Sequence, residues 1–155
     1  MISIRETTEA DIEFISAHAY RLVEFGPPAW HNPQKMTEAD IQHNIDAIRS
    51  NDPDIGTFIA IDSNGERCGF IYLTLQPDYY TNENQAHLTD IVVTKEAEGK
   101  GVGKLLMQKA EEWAREKKAR YITLHVFADN THAQAVYEKV GYQKEWIRYL
   151  KRLDT

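Results

Sequence analysis

Three alternate glycines form the residue pattern best suited to chemistry in this chain. Gly99, Gly101 and Gly103 lie between an apolar run at 88–93 and a helical pattern that starts at Leu105. Glycine adopts positive φ at little cost, which lets backbone N–H groups approach a ligand closely. The first N–H groups of a helix are unpaired and carry partial positive charge, so they attract anions. The stretch predicts a phosphate or pyrophosphate site, and a glycine-rich turn without a ligand is the alternative.

Two familiar phosphate-binding motifs do not fit these residues. A Walker A loop requires a glycine five positions before the Gly103-Lys104 pair and a serine or threonine after it. Glu98 and Leu105 occupy those two positions. The dinucleotide-binding fingerprint fails as well, because no glycine falls on its third position. We therefore do not expect a nucleotide held in either of these ways.

A second stretch, residues 129–142, predicts a short helix with both ends marked. Asp129 or Asn130 is suited to cap its start, and Gly141 fits the left-handed position after its last turn. Between these ends, four residues at helical spacing form an apolar stripe: Ala133, Val136, Tyr137 and Val140. The residues before this helix, 121–127, alternate as a strand.

Together the two stretches resemble the GNAT superfamily of acyl-CoA-dependent N-acetyltransferases. Its pattern is a strand, Q/R-x-x-G-x-G/A and a helix, followed by a second strand and N-x-x-A-x-x-x-Y-x-x-x-G-F/Y. Residues 98–103 match the first part apart from Glu98, where Gln or Arg is usual. Every spacing of the second part is kept, in Asn130, Ala133, Tyr137, Gly141 and Tyr142. A carboxylate of Glu98 that points inward would repel pyrophosphate, whereas one that points away would leave the amides to bind it.

The resemblance implies acetyl-CoA as co-substrate and transfer of its acetyl group to a primary amine of a small molecule or protein, by direct attack in a ternary complex. The implied coenzyme-binding positions are Ile91, Val92, Val93, Glu98, Gly99, Lys100, Gly101, Val102, Gly103, Lys104, Asn130, Ala133 and Tyr137. Tyr137 matches the tyrosine that protonates the departing sulfur, although its place on the apolar stripe also fits a core residue. The N–H of Ile91 matches the amide that polarises the thioester carbonyl. An acyl-CoA-binding regulatory module with weak catalysis and a different kind of phosphate binder are alternatives.

Two residues of the central strand are candidates for the general base. The resemblance points to His87, where some members carry a glutamate, and to Asp90, where others carry an acidic residue. His87 has a reference pKa near ~6.5, whereas Asp90 needs a raised pKa or a water relay. In a regular strand the two side chains point to opposite faces, so we do not expect them to share a site. The alternatives are a half-buried strand residue for His87 and a structural or water-positioning role for Asp90.

Loops rich in aromatic residues are candidates for the acceptor pocket. They carry Phe25 and Trp30 in one segment and Tyr79 and Tyr80 in another. Aromatic faces attract cations, so these rings suit an amine, although they equally fit packing caps. Glu24 and Glu83 lie in segments that border the same region.

Composition restricts the class of protein. The chain has 155 residues, a net charge of −6 and one cysteine, Cys68. We expect a single domain over 1–155 without an internal disulfide, located in the cytoplasm. Negative charge argues against nucleic acid and anionic membranes as partners, and no membrane span, signal peptide or metal-ligand cluster is predicted. A homodimer through a strand at 146–150 is an alternative to pairing within one chain.

Hydrophobic periodicity and turn residues predict alternating strands and helices. Expected strands cover 2–5, 57–61, 68–75, 88–93, 121–127 and 143–150. Capping boxes at Thr8 with Asp11 and at Thr37 with Asp40 predict the starts of two early helices. This order resembles the GNAT-like fold, a single-domain α/β protein with a mixed, mostly antiparallel central sheet and helices on both faces.

Overall fold

The computed structural model describes residues 1–154, in which the predicted alternation of strands and helices is largely observed. The strands are β1 Ser3–Glu6, β2 Ile55–Ile61, β3 Arg67–Pro77, β4 Asn84–Val93 and β5 Ile122–Leu124. The helices are α1 Ile12–His18, α2 Pro33–Arg49, α3 Val102–Glu116 and α4 Thr131–Lys139. Short 3₁₀ segments at Glu9–Asp11, Ala19–Val23 and Lys95–Ala97 adjoin them.

One five-stranded sheet organises the described chain, in the order β1-β2-β3-β4-β5. The first four strands are antiparallel neighbours, and β5 runs parallel to β4. Gly65, with φ of +79°, lies in the predicted turn between β2 and β3. The prediction of a mixed, mostly antiparallel sheet is thereby confirmed.

Helices cover both faces of this sheet. Leu106, Ala110 and Trp113 of α3 pack into one buried cluster with residues of β2, β3 and β4. Ile15 of α1 and Ile48 of α2 pack against a second cluster on the other face. The apolar stripes of α1, α2 and α3 are therefore buried against the sheet, which is the main source of stability for an α/β domain.

The predicted capping box after β1 is present and secures the entry to α1. Asp11 is fully buried, and its carboxylate accepts hydrogen bonds from Arg5 at 2.7 Å, Arg67 at 2.7 Å and the N–H of Thr8 at 2.7 Å. Burial by itself raises the pKa of Asp11, but these donors more than offset it and hold that pKa well below its usual range.

One predicted helix start and one predicted strand are wrong. The second helix begins at Pro33 rather than near Thr37, because Asn32 caps it through a 3.0 Å hydrogen bond from the N–H of Lys35. Proline is favoured in the first turn of a helix, where its missing N–H is not needed. The expected strand at 143–150 is not formed, since these residues pair with no strand of the described chain and are all exposed.

Candidate active site

The turn before α3 has the backbone geometry of an anion-binding cradle. Gly99 and Gly101 have φ of +77° and +81°. Helical hydrogen bonding begins with the N–H of Leu105, which donates to the carbonyl of Gly101 at 3.2 Å. In the described chain, the N–H groups of the three residues before Leu105 donate to no backbone acceptor. A Cβ placed on Gly99 or Gly101 would meet no atom within 4 Å, so the space beside these donors is open.

Side chains around the cradle divide into an anchor and two exposed cations. The side chain of Val102 is buried in the core at 1% exposure and fixes the turn to the sheet. Lys100 and Lys104 are exposed on either side of it. The cradle therefore combines free amides, the positive end of a helix and nearby cationic side chains, which suits a diphosphate.

The carboxylate of Glu98 pairs with Arg21, a residue that sequence reasoning missed. The Nη2 of Arg21 donates to Glu98, its Nη1 donates to Glu24 at 3.0 Å and its Nε donates to the carbonyl of Val93 at 2.8 Å. Arg21 lies 77 positions before Glu98, so no local pattern in the sequence could have identified the pair.

Beyond its short pairing with β5, strand β4 presents a free edge. The β4–β5 ladder covers only Ala86 to Leu88, opposite Ile122–Leu124. The N–H of Thr94 donates to the backbone carbonyl of Cys68 at 3.0 Å. Thr94 and Val92 therefore direct their backbone groups toward β3, since this direction alternates along a strand. Ile91 and Val93 therefore direct their backbone groups to the open side, and the carbonyl of Val93 is the one that Arg21 contacts. Val92 faces β3 through its backbone, and its side chain is buried in the core.

A β-bulge at Thr89 corrects the expectation that His87 and Asp90 lie on opposite faces. Tyr72 pairs with Asp90 and the next residue of β3 pairs with Leu88, so Thr89 is an extra residue in β4. An extra residue shifts the two-residue alternation by one position. Leu88 and Ile91, three apart, consequently pack in the same α3-side cluster. His87 and Asp90, also three apart, therefore share the face covered by α1 and α2.

Asp90 is a buried carboxyl with one strong partner. It is 8% exposed, and the Nδ2 of Asn44 donates to it at 2.7 Å. Burial raises the pKa of Asp90 to about 6, the Asn44 hydrogen bond opposes this rise, and Asp40 adds to it. A carboxyl with a pKa near 6 is mainly ionised at neutral pH and takes up a proton more readily than an ordinary carboxylate, as a general base requires. The nearby His43 of α2 lowers the pKa of Asp90.

His87 lies at the point where β4 meets β5. Its Nδ1 is 2.8 Å from the Oγ1 of Thr123, and its ring centroid is 4.8 Å from that of His125. Burial lowers the pKa of His87, and the neighbouring His125 lowers it further. His87 is therefore a neutral imidazole at pH 7 and can accept a proton.

Helix α4 carries the remaining predicted residues. The Oδ1 of Asn130 accepts the N–H of Ala133 at 3.2 Å, which confirms the predicted cap. Tyr137 is half-buried, its ring lies 5.9 Å from that of Tyr142, and burial raises its pKa. A raised pKa keeps the hydroxyl of Tyr137 protonated, as a proton donor must be. Its contacts join it to Tyr142, not to His87 or Asp90.

The first acceptor segment lies against the start of α4. Gly26, with φ of +92°, approaches so closely that a Cβ there would be 3.0 Å from the backbone nitrogen of Asn130. Phe25 and Trp30 are 61% and 51% exposed, so they form no closed pocket. Glu24 lines an open groove between the Ala19–Val23 segment and the start of α2.

The second candidate acceptor segment, which carries Tyr79 and Tyr80, contacts the C-terminal residue Trp146 and not the start of α4. Tyr79 and Tyr80 are more than three-quarters exposed and lie edge to face at 5.0 Å. Tyr80 also approaches Trp146, with ring centroids 6.4 Å apart.

Among residues 1–154 no cluster of three or more potential metal ligands occurs, and no helix has the length and apolarity to cross a bilayer.

Comparison with known proteins identifies the fold and the family. A model of the "Acetyltransferase (GNAT) family" matches residues 18–142. The uncharacterized N-acetyltransferase YdgE of Bacillus subtilis is 36% identical over 89 residues, covering 57% of this chain and 55% of that protein. The chain thus spans about half the length of the curated relatives it matches.

Two solved structures share the whole architecture. A putative acetyl transferase from Pyrococcus furiosus has a TM-score of 0.75 and 26% identity, with 99% of this chain and 100% of that chain covered. The aminoglycoside N-acetyltransferase AAC(6')-Iy in complex with CoA has a TM-score of 0.75 and 19% identity, covering 99% and 95%, and shows a likeness of fold. The family match extends over most of the chain and includes the cradle, β4 and α4, and on this basis the protein belongs to the GNAT family of acetyltransferases.

Proposed function

We propose that this protein is an N-acetyltransferase that moves the acetyl group of acetyl-CoA to a primary amine by direct attack in a ternary complex. The observation that carries the proposal is the cradle of unpaired N–H groups at the start of α3, beside the free edge of β4. Family membership and the CoA complex of a protein with this fold support the choice of coenzyme.

The residues of the cradle fit a coenzyme A diphosphate. The open space beside Gly99 and Gly101 leaves room for phosphate oxygens next to the free amides. The outward backbone groups of Ile91 and the outward N–H of Val93, whose carbonyl Arg21 contacts, suit a pantetheine arm that pairs as an added strand. In this proposal the N–H of Ile91 polarises the thioester carbonyl, and Asn130 contributes its side-chain amide at the start of α4.

Proton transfer requires a base for the amine and an acid for the departing sulfur. An alkylamine with a pKa near ~10.4 is mostly protonated at neutral pH. Asp90 and His87 are the base candidates, and their shared face allows them to act in one site through water. Tyr137 is the acid candidate, since its hydroxyl stays protonated and a thiol near ~8.5 leaves more readily when it receives a proton.

An amine screen tests the proposal directly. The protein is incubated with acetyl-CoA and a panel of small primary amines and lysine peptides, and release of free thiol is measured. Thiol release that depends on one class of amine supports the proposal. Tight binding of CoA without turnover on any amine indicates the regulatory module instead, and binding of ATP without binding of CoA indicates another phosphate binder.

The amine acceptor and the cellular location are part of the same proposal. We propose a small-molecule or protein amine as acceptor, no nucleic acid or membrane partner, and a cytoplasmic location consistent with a single cysteine. We also propose a homodimer through the C-terminal segment. That segment exposes Trp146 at 66%, Ile147 at 73% and Tyr149 at 90%, and a second copy would cover this apolar surface.

A further inference from the structure

An acidic residue stands directly before the diphosphate cradle. Glu98 is followed immediately by Gly99, the first glycine of the turn. A free carboxylate at this position would oppose a coenzyme diphosphate, because like charges at short range repel strongly. The chain nevertheless keeps a glutamate there, so its negative charge must be offset for the cradle to bind well.

Arg21 supplies that offset from a different element. It lies in the 3₁₀ segment Ala19–Val23, and its guanidinium contacts Glu98, Glu24 and the carbonyl of Val93. Only 11% of the Arg21 side chain is exposed, whereas 59% of Glu98 is. The cation is therefore the fixed partner, and the carboxylate at the cradle is held by it.

The surrounding charges form a balanced group. Glu24 accepts from Arg21 at 3.0 Å and pairs with the Nζ of Lys95 at 3.2 Å. Two cations and two carboxylates thus meet between the end of β4 and the turn before α3. Because the hydrogen bond to Val93 fixes the guanidinium on the β4 side, the Glu98 carboxylate is drawn toward β4 instead of remaining free beside the amides.

We propose that Arg21 is a positioning residue of the coenzyme site, which neutralises Glu98 and holds its carboxylate off the diphosphate. Arg21 acts through Glu98 and does not have to touch the coenzyme. This inference rests on the proposed function, since it concerns how the same site tolerates an acidic residue.

A double-mutant cycle measured by calorimetric titration with CoA tests the proposal. We expect Arg21→Gln to weaken CoA binding about tenfold, because it leaves the Glu98 charge uncompensated beside the diphosphate. Glu98→Gln alone should change affinity by less than about threefold, and the double variant should return to within about threefold of the wild type. The loss in Arg21→Gln should shrink as salt rises from about 0.05 M to about 0.5 M, since screening weakens exposed repulsion.

Controls separate this effect from a general loss of structure. Arg49→Gln breaks a comparable arginine–glutamate pair, Arg49 with Glu9 at 2.6 Å, and should leave CoA affinity unchanged. Thermal unfolding of every variant shows whether the fold persists. If Arg21→Gln does not fold, Glu98→Gln still decides, because tighter binding by about tenfold would show that Arg21 does not neutralise the carboxylate.

Failure of the inference differs from failure of the proposed function. Wild-type affinity in Arg21→Gln, or no recovery in the double variant, overturns the role of Arg21 while CoA binding by the wild type stands. No CoA binding by the wild type overturns the proposed function itself, and the inference falls with it.

Discussion

At the scale of single residues, burial in the fold sets the protonation state of each candidate base. Asp90 and His87 lie on the same face of the sheet, but their environments move their pKa values in opposite directions. Burial raises the pKa of Asp90 to about 6 and lowers that of His87. At pH 7 Asp90 is mainly ionised and His87 is neutral, so either one can take a proton from an amine.

The pH dependence of turnover should identify the base. If Asp90 acts, kcat/KM falls below about pH 6 as its carboxyl becomes protonated, and Asp90→Asn removes most of the activity. His87→Gln should then keep an acidic limb near the same pH. A limb that disappears in His87→Gln and persists in Asp90→Asn assigns the base to the histidine.

Asp90 should also affect stability with a definite sign. Its pKa is raised in the folded protein above the ordinary value of 3.8, so the folded state binds the proton more tightly than the unfolded state. Stability therefore falls as pH rises from about 4 to about 6. Asp90→Asn should flatten this slope and stabilise the fold at pH 7 by roughly 1–3 kcal/mol, measured by urea unfolding across pH. A steeper slope in the variant would contradict the shift.

Tyr137 can be tested apart from binding. Tyr137→Phe removes the hydroxyl and keeps the ring packed against Tyr142. We expect turnover to fall about 10²-fold, the lower range for loss of a general acid, while CoA affinity stays within about threefold. Unchanged turnover would assign Tyr137 to packing alone, as its place on the apolar stripe allows.

At the scale of elements, the glycine turn offers a matched pair of substitutions. Gly101 and Gly65 have φ of +81° and +79°, and a Cβ at either meets no atom within 4 Å. Alanine at each should cost about 1–2 kcal/mol of stability through backbone strain. Only Gly101→Ala should also weaken CoA binding, because its methyl group would occupy space beside the free amides. Equal CoA affinity in both variants would argue against the cradle.

The predictable parts of these elements are those set by local chemistry. The Asn130 cap, the Thr8 and Asp11 capping box, and the left-handed glycines follow from residue type and spacing, and the structure has them. The early start of α2 was missed, since Asn32 and Pro33 together outweigh the later Thr37 box. The bulge in β4 has no local signal, because it depends on how β3 pairs with that strand.

At the scale of the whole molecule, what the sequence could not reveal is contact between distant positions. Arg21 meets Glu98 only because the first helical segments fold over the end of β4. The shared face of His87 and Asp90 likewise follows from sheet register. The fold, the glycine turn before α3 and the cap of α4 are predictable because their residues are contiguous, whereas the charges around the turn are not.

Helix α4 and the chain that follows it are the least covered part of the molecule. None of the nine residues of α4 is buried. The segment 143–154 exposes its apolar side chains and carries four basic and two acidic residues in a chain of net charge −6. Apolar surface and opposite charge both favour association with another copy of this acidic chain.

Removal of the segment after Tyr142 tests the proposed dimer. Analytical ultracentrifugation should find the full chain as a dimer and the shortened chain as a monomer. The melting temperature of the full chain should fall on dilution, whereas that of the shortened chain should not change, because a monomer has no concentration-dependent stability. A full chain that sediments as a monomer at all concentrations would contradict the dimer.

The extra residue in β4 makes position 89 tolerant of two kinds of change, substitution and deletion. Thr89 is exposed, so replacing its side chain should cost little. Deleting it would join Leu88 directly to Asp90 and restore regular pairing with β3, so Leu88 would stay on the α3 side and Asp90 on the side of Asn44. A deletion at a regular position of β4 would instead turn the side chains beyond it to the opposite face, so natural variation in the length of this strand should concentrate at position 89.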